Sequence, residues 1–234
     1  MGNTTQASAR ERIEAILDDN SFVEIGAYVK ARNTDFNIQA KDTPSDGVIT
    51  GYGVINGGLV YVYSQDASVL GGSVGEMHAK KIASLYDMAM KTGSPVIGLI
   101  DSTGLRLQES VDGLNAFGQI YMKQSLASGV IPTVTAIFGN CGGGLSIVAG
   151  LSDFTFMEVE NAQLFVNSPN AITENRKEIC DNASAKFQSE EAGNVDFVGT
   201  EAEVIEGIRN LVSVLPSNNE DEASDLECYD DLNR

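Results

Sequence analysis

Two largely apolar runs, "SPVIGLID" at 94–101 and "VIPTVTAIFGN" at 130–140, constrain this chain more than any other feature. Neither has a charged residue before its end, so each reads as a strand buried on both faces. The helical stretch "LNAFGQIYMKQSLASG", 114–129, lies between them. Buried strands joined through a helix run parallel, and a parallel sheet needs helices to cover it. The alternation extends in both directions. "GEMHAKKIASLYDMAMKTG", 75–93, places Ile82, Leu85 and Ala89 on one stripe and stops at Gly93. "LSIVAGL", 145–151, reads as a short helix, "DFTFMEV", 153–159, as a strand, and "AEVIEGIRNLVSV", 202–214, as an amphipathic helix. Upstream, "SARERIEAILDD", 8–19, gives a helix with Ile13, Ile16 and Leu17 on one face. "DGVITGYGVINGGLVYVYSQD", 46–66, reads as a hairpin turning at Asn56-Gly57-Gly58.

In such a sheet, ligands bind beyond the carboxyl ends of the strands. Two junctions fall there. In "GLIDSTGLRLQES", 98–110, a buried strand ends at Asp101 and turns through Ser102, Thr103 and Gly104. In "GNCGGGLSIVAG", 139–150, three consecutive glycines separate a strand from a helix. Main-chain N–H groups at such turns lack internal partners. Two of these turns facing each other can hold a developing oxyanion. The triplet Gly142–Gly144 alone leaves close helix-on-strand packing and function both open. Neither turn has the spacing of a phosphate loop or a dinucleotide fingerprint.

A third glycine cluster, "LGGSVGEMHAKK", 70–81, opens the helix that carries Lys80 and Lys81, two cations suited to an anionic group. His78, the single histidine, reads as a packed or capping residue rather than a general base. Asp101 and Glu109 could act as an acid–base pair, but bracing of the turn by Asp101 and of a helix start by Glu109 is the plainer reading. "MAMK", 88–91, resembles a biotin-carrying segment, yet it falls in mid-helix, so Lys91 reads as a solvated lysine. No clustering of cysteine, histidine and acidic residues suggests a metal.

A formal net charge of −18 argues against nucleic acid or an anionic membrane as partner. Residues 220–234 hold seven of the acids against one base, Arg234, as a solvated tail or linker does. No window is long and apolar enough to span a membrane, and the first residues lack a secretion-signal layout. Three distant cysteines, Cys141, Cys180 and Cys228, fit a reducing, cytoplasmic setting.

Six ordered segments resemble one family: "ARERIEAILDDNSFVEI", the 46–66 hairpin, "GGSVGEMHAKKI", "KTGSPVIGLIDSTGLRLQES", "ASGVIPTVTAIFG" and "LPSNN" followed by "DDLNR". It is the carboxyltransferase component of biotin-dependent acyl-CoA carboxylases and decarboxylases, such as the propionyl-CoA carboxylase β subunit and the methylmalonyl-CoA decarboxylase α subunit. The resemblance implies an α/β, crotonase-like (ClpP/crotonase) fold of stacked β-sheets with surrounding helices. It covers only the first of the family's two such domains, the one that binds acyl-CoA. Residues 1–218 are then that domain, and 219–234 an acidic tail or the start of the inter-domain linker.

The resemblance carries a role to specific residues. Main-chain amides of Gly104 and Leu105 in the first turn, and of Gly143 and Gly144 in the second, are expected to hold the thioester oxygen. Gly71, Gly72, Lys81 and Arg106 are expected to bind substrate. The implied partners are a coenzyme A thioester as substrate, a second crotonase-like carboxyltransferase subunit, and a biotin carboxyl carrier protein bearing the biotin. A homo- or hetero-oligomer with apolar helix faces at its interface follows from a site shared between protomers. Thr103 and Leu105 stand where the family has glycine and alanine. Asn167-Ser168-Pro169-Asn170 replaces Thr-Gly-Pro-Asp, and 179–195 departs from the family's Gly-Gly-Ala…His segment. "GLRLQE" and "GGLSIVAGL" also resemble malonate decarboxylase subunits. The residues leave room as well for a hydratase-like crotonase enzyme or for a non-catalytic scaffold subunit of the same kind of complex.

Overall fold

The structure is a computed structural model that describes residues 7–32, 42–168, 181–221 and 229. Helix α1 spans Ala9–Ile16 and starts at a reciprocal cap: the Ser8 hydroxyl accepts the Glu11 N–H, and the Glu11 carboxylate accepts the Ser8 N–H. Strands β1 (Val23–Ile25), β2 (Val48–Ile55) and β3 (Gly58–Gln65) follow. Ile55 pairs with Gly58, so the hairpin turn is the two residues Asn56 and Gly57, with φ of 50° and 82°. Both are left-handed, as a type I′ turn requires. Gly58 belongs to β3 rather than to the turn expected from sequence.

Next come α2 (Glu76–Thr92), β4 (Val96–Ser102), α3 (Ser110–Ala127), β5 (Thr133–Gly142) and α4 (Gly144–Gly150). The described chain continues with β6 (Phe154–Glu158), β7 (Gln163–Phe165), α5 (Ala185–Glu190), β8 (Phe197–Gly199) and α6 (Glu201–Val214). The sheet order is β1-β2-β3-β4-β5-β6-β8, antiparallel among the first three strands and parallel from β3 onward. β5 serves two neighbours. Its residues 134–137 pair with β6, and its end, Asn140–Gly142, pairs with β7.

Alternation along the strands divides the core into two layers. On one face Val96, Ile100 and Ile137 pack with Ile82 and Leu85 of α2, Phe117 and Ile120 of α3, and Leu145 and Val148 of α4. On the other, Ile97, Leu99 and Phe138 pack with Ile13 and Ile16 of α1 and Val204 and Ile208 of α6. Full burial of each such aliphatic side chain stabilises by about 1.5–3 kcal/mol before chain entropy is counted. After α6 the chain stays fastened: the Asn218 side chain donates to Gly93 O at 3.0 Å, and the Asn219 N–H to Val130 O at 2.9 Å. No helix among the described residues is long and apolar enough to cross a membrane. Cys180, Cys228, Pro169, Asn170 and most of the acidic stretch 220–234 lie outside the described residues.

Candidate active site

The ends of β4 and β5 lie side by side. Pairing runs in step from Val96 with Thr133 to Ile100 with Ile137, then shifts so that Ser102 faces Cys141. The shift is a bulge on β5 that brings the two strand ends level. The turns that follow leave from adjoining positions: a Cβ added at Gly104 would lie 3.5 Å from the Gly142 carbonyl oxygen.

In the first turn, Ser102 Oγ donates to Gly72 O at 2.7 Å and accepts the Gly104 N–H at 3.0 Å. Residues 104–106 then run against Val74. The Val74 N–H donates to Gly104 O at 2.8 Å, and the Arg106 N–H donates to Val74 O at 3.0 Å. Gly104 C=O and Leu105 N–H belong to one trans peptide plane and point in opposite directions within it. With the carbonyl held by Val74, the Leu105 N–H faces away from it and has no partner among the described residues. The Leu105 side chain runs toward α3, where a Cβ on Gly113 would come within 2.9 Å of its Cδ1. Its bulk is accommodated by a glycine on the neighbouring helix.

Each glycine of the second turn lacks a side chain for its own reason. A Cβ at Gly142 would lie 2.5 Å from the Phe165 ring, and one at Gly144 2.7 Å from the Tyr121 hydroxyl and 3.0 Å from the Phe117 ring. Gly143 has open space but adopts φ 59°, ψ −123°, which a residue bearing a Cβ reaches only under strain. The Gly143 N–H donates to Phe165 O at 3.0 Å, whereas the Gly144 N–H begins α4 and has no partner among the described residues. The carbonyl of that peptide, Gly143 O, accepts the Ser146 N–H at 3.1 Å and the Ser146 hydroxyl at 2.7 Å, and Tyr121 donates its hydroxyl to the next carbonyl, Gly144 O, at 2.7 Å. Of four amides expected from sequence to face a ligand, two are committed internally and two, Leu105 and Gly144, are not.

Gly71 and Gly72 adjoin the first turn. Gly71 O accepts the Thr103 N–H, and a Cβ on Gly71 would lie 2.9 Å from the Thr103 side chain. Lys81 and Arg106 turn inward. The Lys81 ammonium donates to Ser45 O at 2.9 Å and also to Ser45 Oγ and Val48 O, and burial lowers its pKa to about 8. The Arg106 guanidinium is buried against Asp46 and Glu109. Asp101 lies on the opposite face of the sheet, 3.4 Å from Arg12 of α1. Burial raises its carboxyl above the usual range, while Arg12 opposes that shift. Glu109 is spent on Arg106 and on the Glu76 N–H at the start of α2.

His78 is fully buried. Its Nδ1 faces the Asp46 carbonyl at 3.0 Å and so carries the proton, leaving Nε2 to accept from the Gln65 amide at 3.2 Å. Burial lowers its pKa to about 3, so the ring is neutral at physiological pH. Lys80 is exposed and paired with Glu76, and Lys91 is exposed in the last turn of α2. A polar cavity of about 390 Å³, lined by Ser146, Thr155, Phe165, Gln188, Asn194 and Asp196, borders the second turn. Sequence reading missed it, and it missed Asp46 as the partner of Arg106, 60 positions away.

A mixed sheet, parallel from β3 onward, with helices on both faces and two adjoining strand ends that each offer a free main-chain amide, is crotonase-like α/β architecture. Within that class, the chain belongs to the carboxyl transferase domain family, whose profile matches residues 3–234. It is 43% identical over 230 residues to the methylmalonyl-CoA decarboxylase subunit alpha of Propionigenium modestum, covering 97% of this chain and 44% of that one. It is 40% identical to the propionyl-CoA carboxylase beta chain of Roseobacter denitrificans, with 97% and 45% covered. A transcarboxylase 12S crystal structure, a hexamer with methylmalonyl-coenzyme A and methylmalonic acid bound, superposes with a TM-score of 0.88 at 36% identity. That match covers 94% of this chain and 44% of the 12S chain. The chain thus spans less than half the length of these relatives.

Proposed function

We propose that this chain is the acyl-CoA side of a biotin-dependent carboxyltransferase, and that its main-chain amides stabilise the thioester enolate during carboxyl transfer. The observation that carries the reading is the pair of free amides, Leu105 N–H and Gly144 N–H, on adjoining strand ends. Gly104 and Gly143 contribute turn shape, Gly71 and Gly72 the adjoining wall, and Lys81 and Arg106 the bracing beneath it. In the decarboxylating direction the bond from the acyl α-carbon to its carboxylate breaks. The electron pair moves onto the thioester oxygen, where two N–H donors meet the new negative charge. The reverse step forms that bond from the enolate. Donors aimed at developing charge in a site shielded from water are the largest single contribution in many such reactions.

Biotin, on a carrier protein, supplies or accepts the carboxyl group. Lys91 lies within α2 rather than on a projecting hairpin, so biotin fits this chain as a visiting group. Residues 1–218 form the acyl-CoA domain, and 219–234 an acidic tail or the start of an inter-domain linker. Leu107, Val111, Leu114, Met122 and Leu126 line one exposed side of the loop before α3 and of α3 itself. That apolar stripe is the surface for a second carboxyltransferase subunit in an oligomer, in a cytoplasmic complex. A hydratase-type reaction is disfavoured because neither nearby carboxylate faces the free amides. Asp101 is on the other face of the sheet, and Glu109 is buried in its own ion pairs.

Isothermal titration with methylmalonyl-CoA or malonyl-CoA, the biotin-side subunit present, tests this reading. Saturable binding by the wild-type chain, with carboxyl transfer slowed by replacing the Leu105 N–H, is the expected result. No saturable binding, or carboxyl transfer indifferent to that change, refutes it.

A further inference from the structure

Arg106 and its partners form the most completely buried set of charges in the described structure, and they adjoin the free Leu105 amide. The guanidinium meets Asp46 Oδ1 at 2.6 Å and Glu109 Oε1 at 2.9 Å through Nη1, and Ser73 O at 2.7 Å through Nη2. Nε reaches Ser73 Oγ at 3.3 Å. The side chains of Asp46, Arg106 and Glu109 are at most 4% exposed. Lys81 holds the carbonyls of Ser45 and Val48, which flank Asp46, and its charge faces both Glu24 and Asp46.

Stability alone does not account for this arrangement. Replacing a buried ion cluster with apolar residues of similar volume is often neutral or stabilising. Its geometry points to a second consequence. The two hydrogen bonds that orient the peptides on either side of Leu105, one at Gly104 O and one at the Arg106 N–H, go to Val74, whose flanks are held by this cluster: Ser73 by Arg106, and the Glu76 N–H by Glu109 Oε2 at 2.6 Å. Gly75, between them, has no room for a Cβ because the Glu109 carboxylate and the Arg106 guanidinium pack onto it. The planar guanidinium fork fixes this strap in two dimensions, which a lysine ammonium cannot do.

We propose that Arg106, Asp46 and Glu109 are positioning residues that aim the Leu105 N–H at the thioester oxygen by locking the 73–76 strap. They touch neither substrate nor reacting atoms. The proposal rests on the enolate-stabilising reading above and adds to it which side chains set the donor. Its signature is selective: affinity for the uncharged thioester stays nearly constant, while preference for an enolate-shaped anion falls.

The test compares propionyl-CoA with 2-nitropropionyl-CoA, whose ionised form is a planar nitronate resembling the enolate, by titration calorimetry on the full chain. Wild type is expected to favour the nitronate. Arg106→Lys and Glu109→Gln are expected to bind propionyl-CoA within about twofold of wild type and to lose at least tenfold of the preference. Ser73→Ala, which removes a single peripheral contact, is expected to fold in any case and to lose about threefold. A folded variant that keeps the full preference overturns the positioning role alone. A wild-type chain indifferent to the two probes overturns the functional reading, and the positioning role with it.

Discussion

Replacing Leu105 by its α-hydroxy acid, which exchanges the 104–105 amide for an ester, deletes one hydrogen and keeps the side chain. Because that N–H has no internal partner, the folded protein loses no hydrogen bond with it. What it does lose is acceptor strength at Gly104 O, which receives the Val74 N–H at 2.8 Å. The whole worth of that bond, about 0.5–1.5 kcal/mol, bounds the cost in folding stability. The transition state loses far more. Removing one donor to a developing oxyanion costs about 2.7–4 kcal/mol, a factor of roughly 100–1,000 in rate. The assay is carboxyl transfer from methylmalonyl-CoA with the biotin-side subunit present, alongside thermal unfolding of the same sample. A drop of two to three decades in rate with a Tm change of a few degrees is expected. A rate within about threefold of wild type, with thioester binding intact, refutes the role of this amide.

Packing and charge carry further consequences. Gly144→Ala places a methyl 2.7 Å from the Tyr121 hydroxyl and 3.0 Å from Phe117, an overpacking cost of about 1–3 kcal/mol in denaturant titration. Adding Tyr121→Phe recovers part of that loss, and no recovery would mean that the clash lies elsewhere. Gly118→Ala, in open space on an exposed turn of α3, raises stability by about 0.5–1 kcal/mol, and a lower Tm would contradict the helix geometry. His78 titrates near 3 when folded and near its ordinary 6.5 when unfolded, so between these values only the unfolded chain takes up the proton. Its contribution is complete above pH 6.5 and is lost on acidification, at about 1.4 kcal/mol per pH unit. From pH 7 to 4.5 wild type should lose about 2–3 kcal/mol more than His78→Gln, and equal losses would show the ring is not buried neutral. Burial pushes the Cys141 thiol up to about 12, so iodoacetamide at pH 8 should modify it only after denaturation, as read by site-resolved mass spectrometry.

Elements with a sustained period were legible in the sequence. Ile82, Leu85 and Ala89 marked the buried stripe of α2, Gly93 its left-handed stop, and the 94–101 and 130–140 runs the central parallel pair. β1, β7, β8 and α5 run for three to six residues, too short for a period to register, and the pairing of the β5 end with β7 depends on a bulge that no local pattern encodes. At the site, both turns were visible as glycine-rich strand ends. The division of labour within them was not. Whether an amide is free depends on Ser102 within the first turn and on Val74 and Phe165, which the fold brings in from other segments. Lys81 and Arg106 read as ligands for an anion because charge is visible in sequence, while the Ser45 and Val48 carbonyls and the Asp46 carboxylate that engage them lie 33 to 60 positions away.

The most direct test is a crystal structure of this chain with the nitronate of 2-nitropropionyl-CoA bound. An anionic oxygen within hydrogen-bonding distance of both Leu105 N and Gly144 N is the predicted result. A ligand seated instead in the polar cavity beside Gln188 and Asp196, with those two amides left facing solvent, would contradict it.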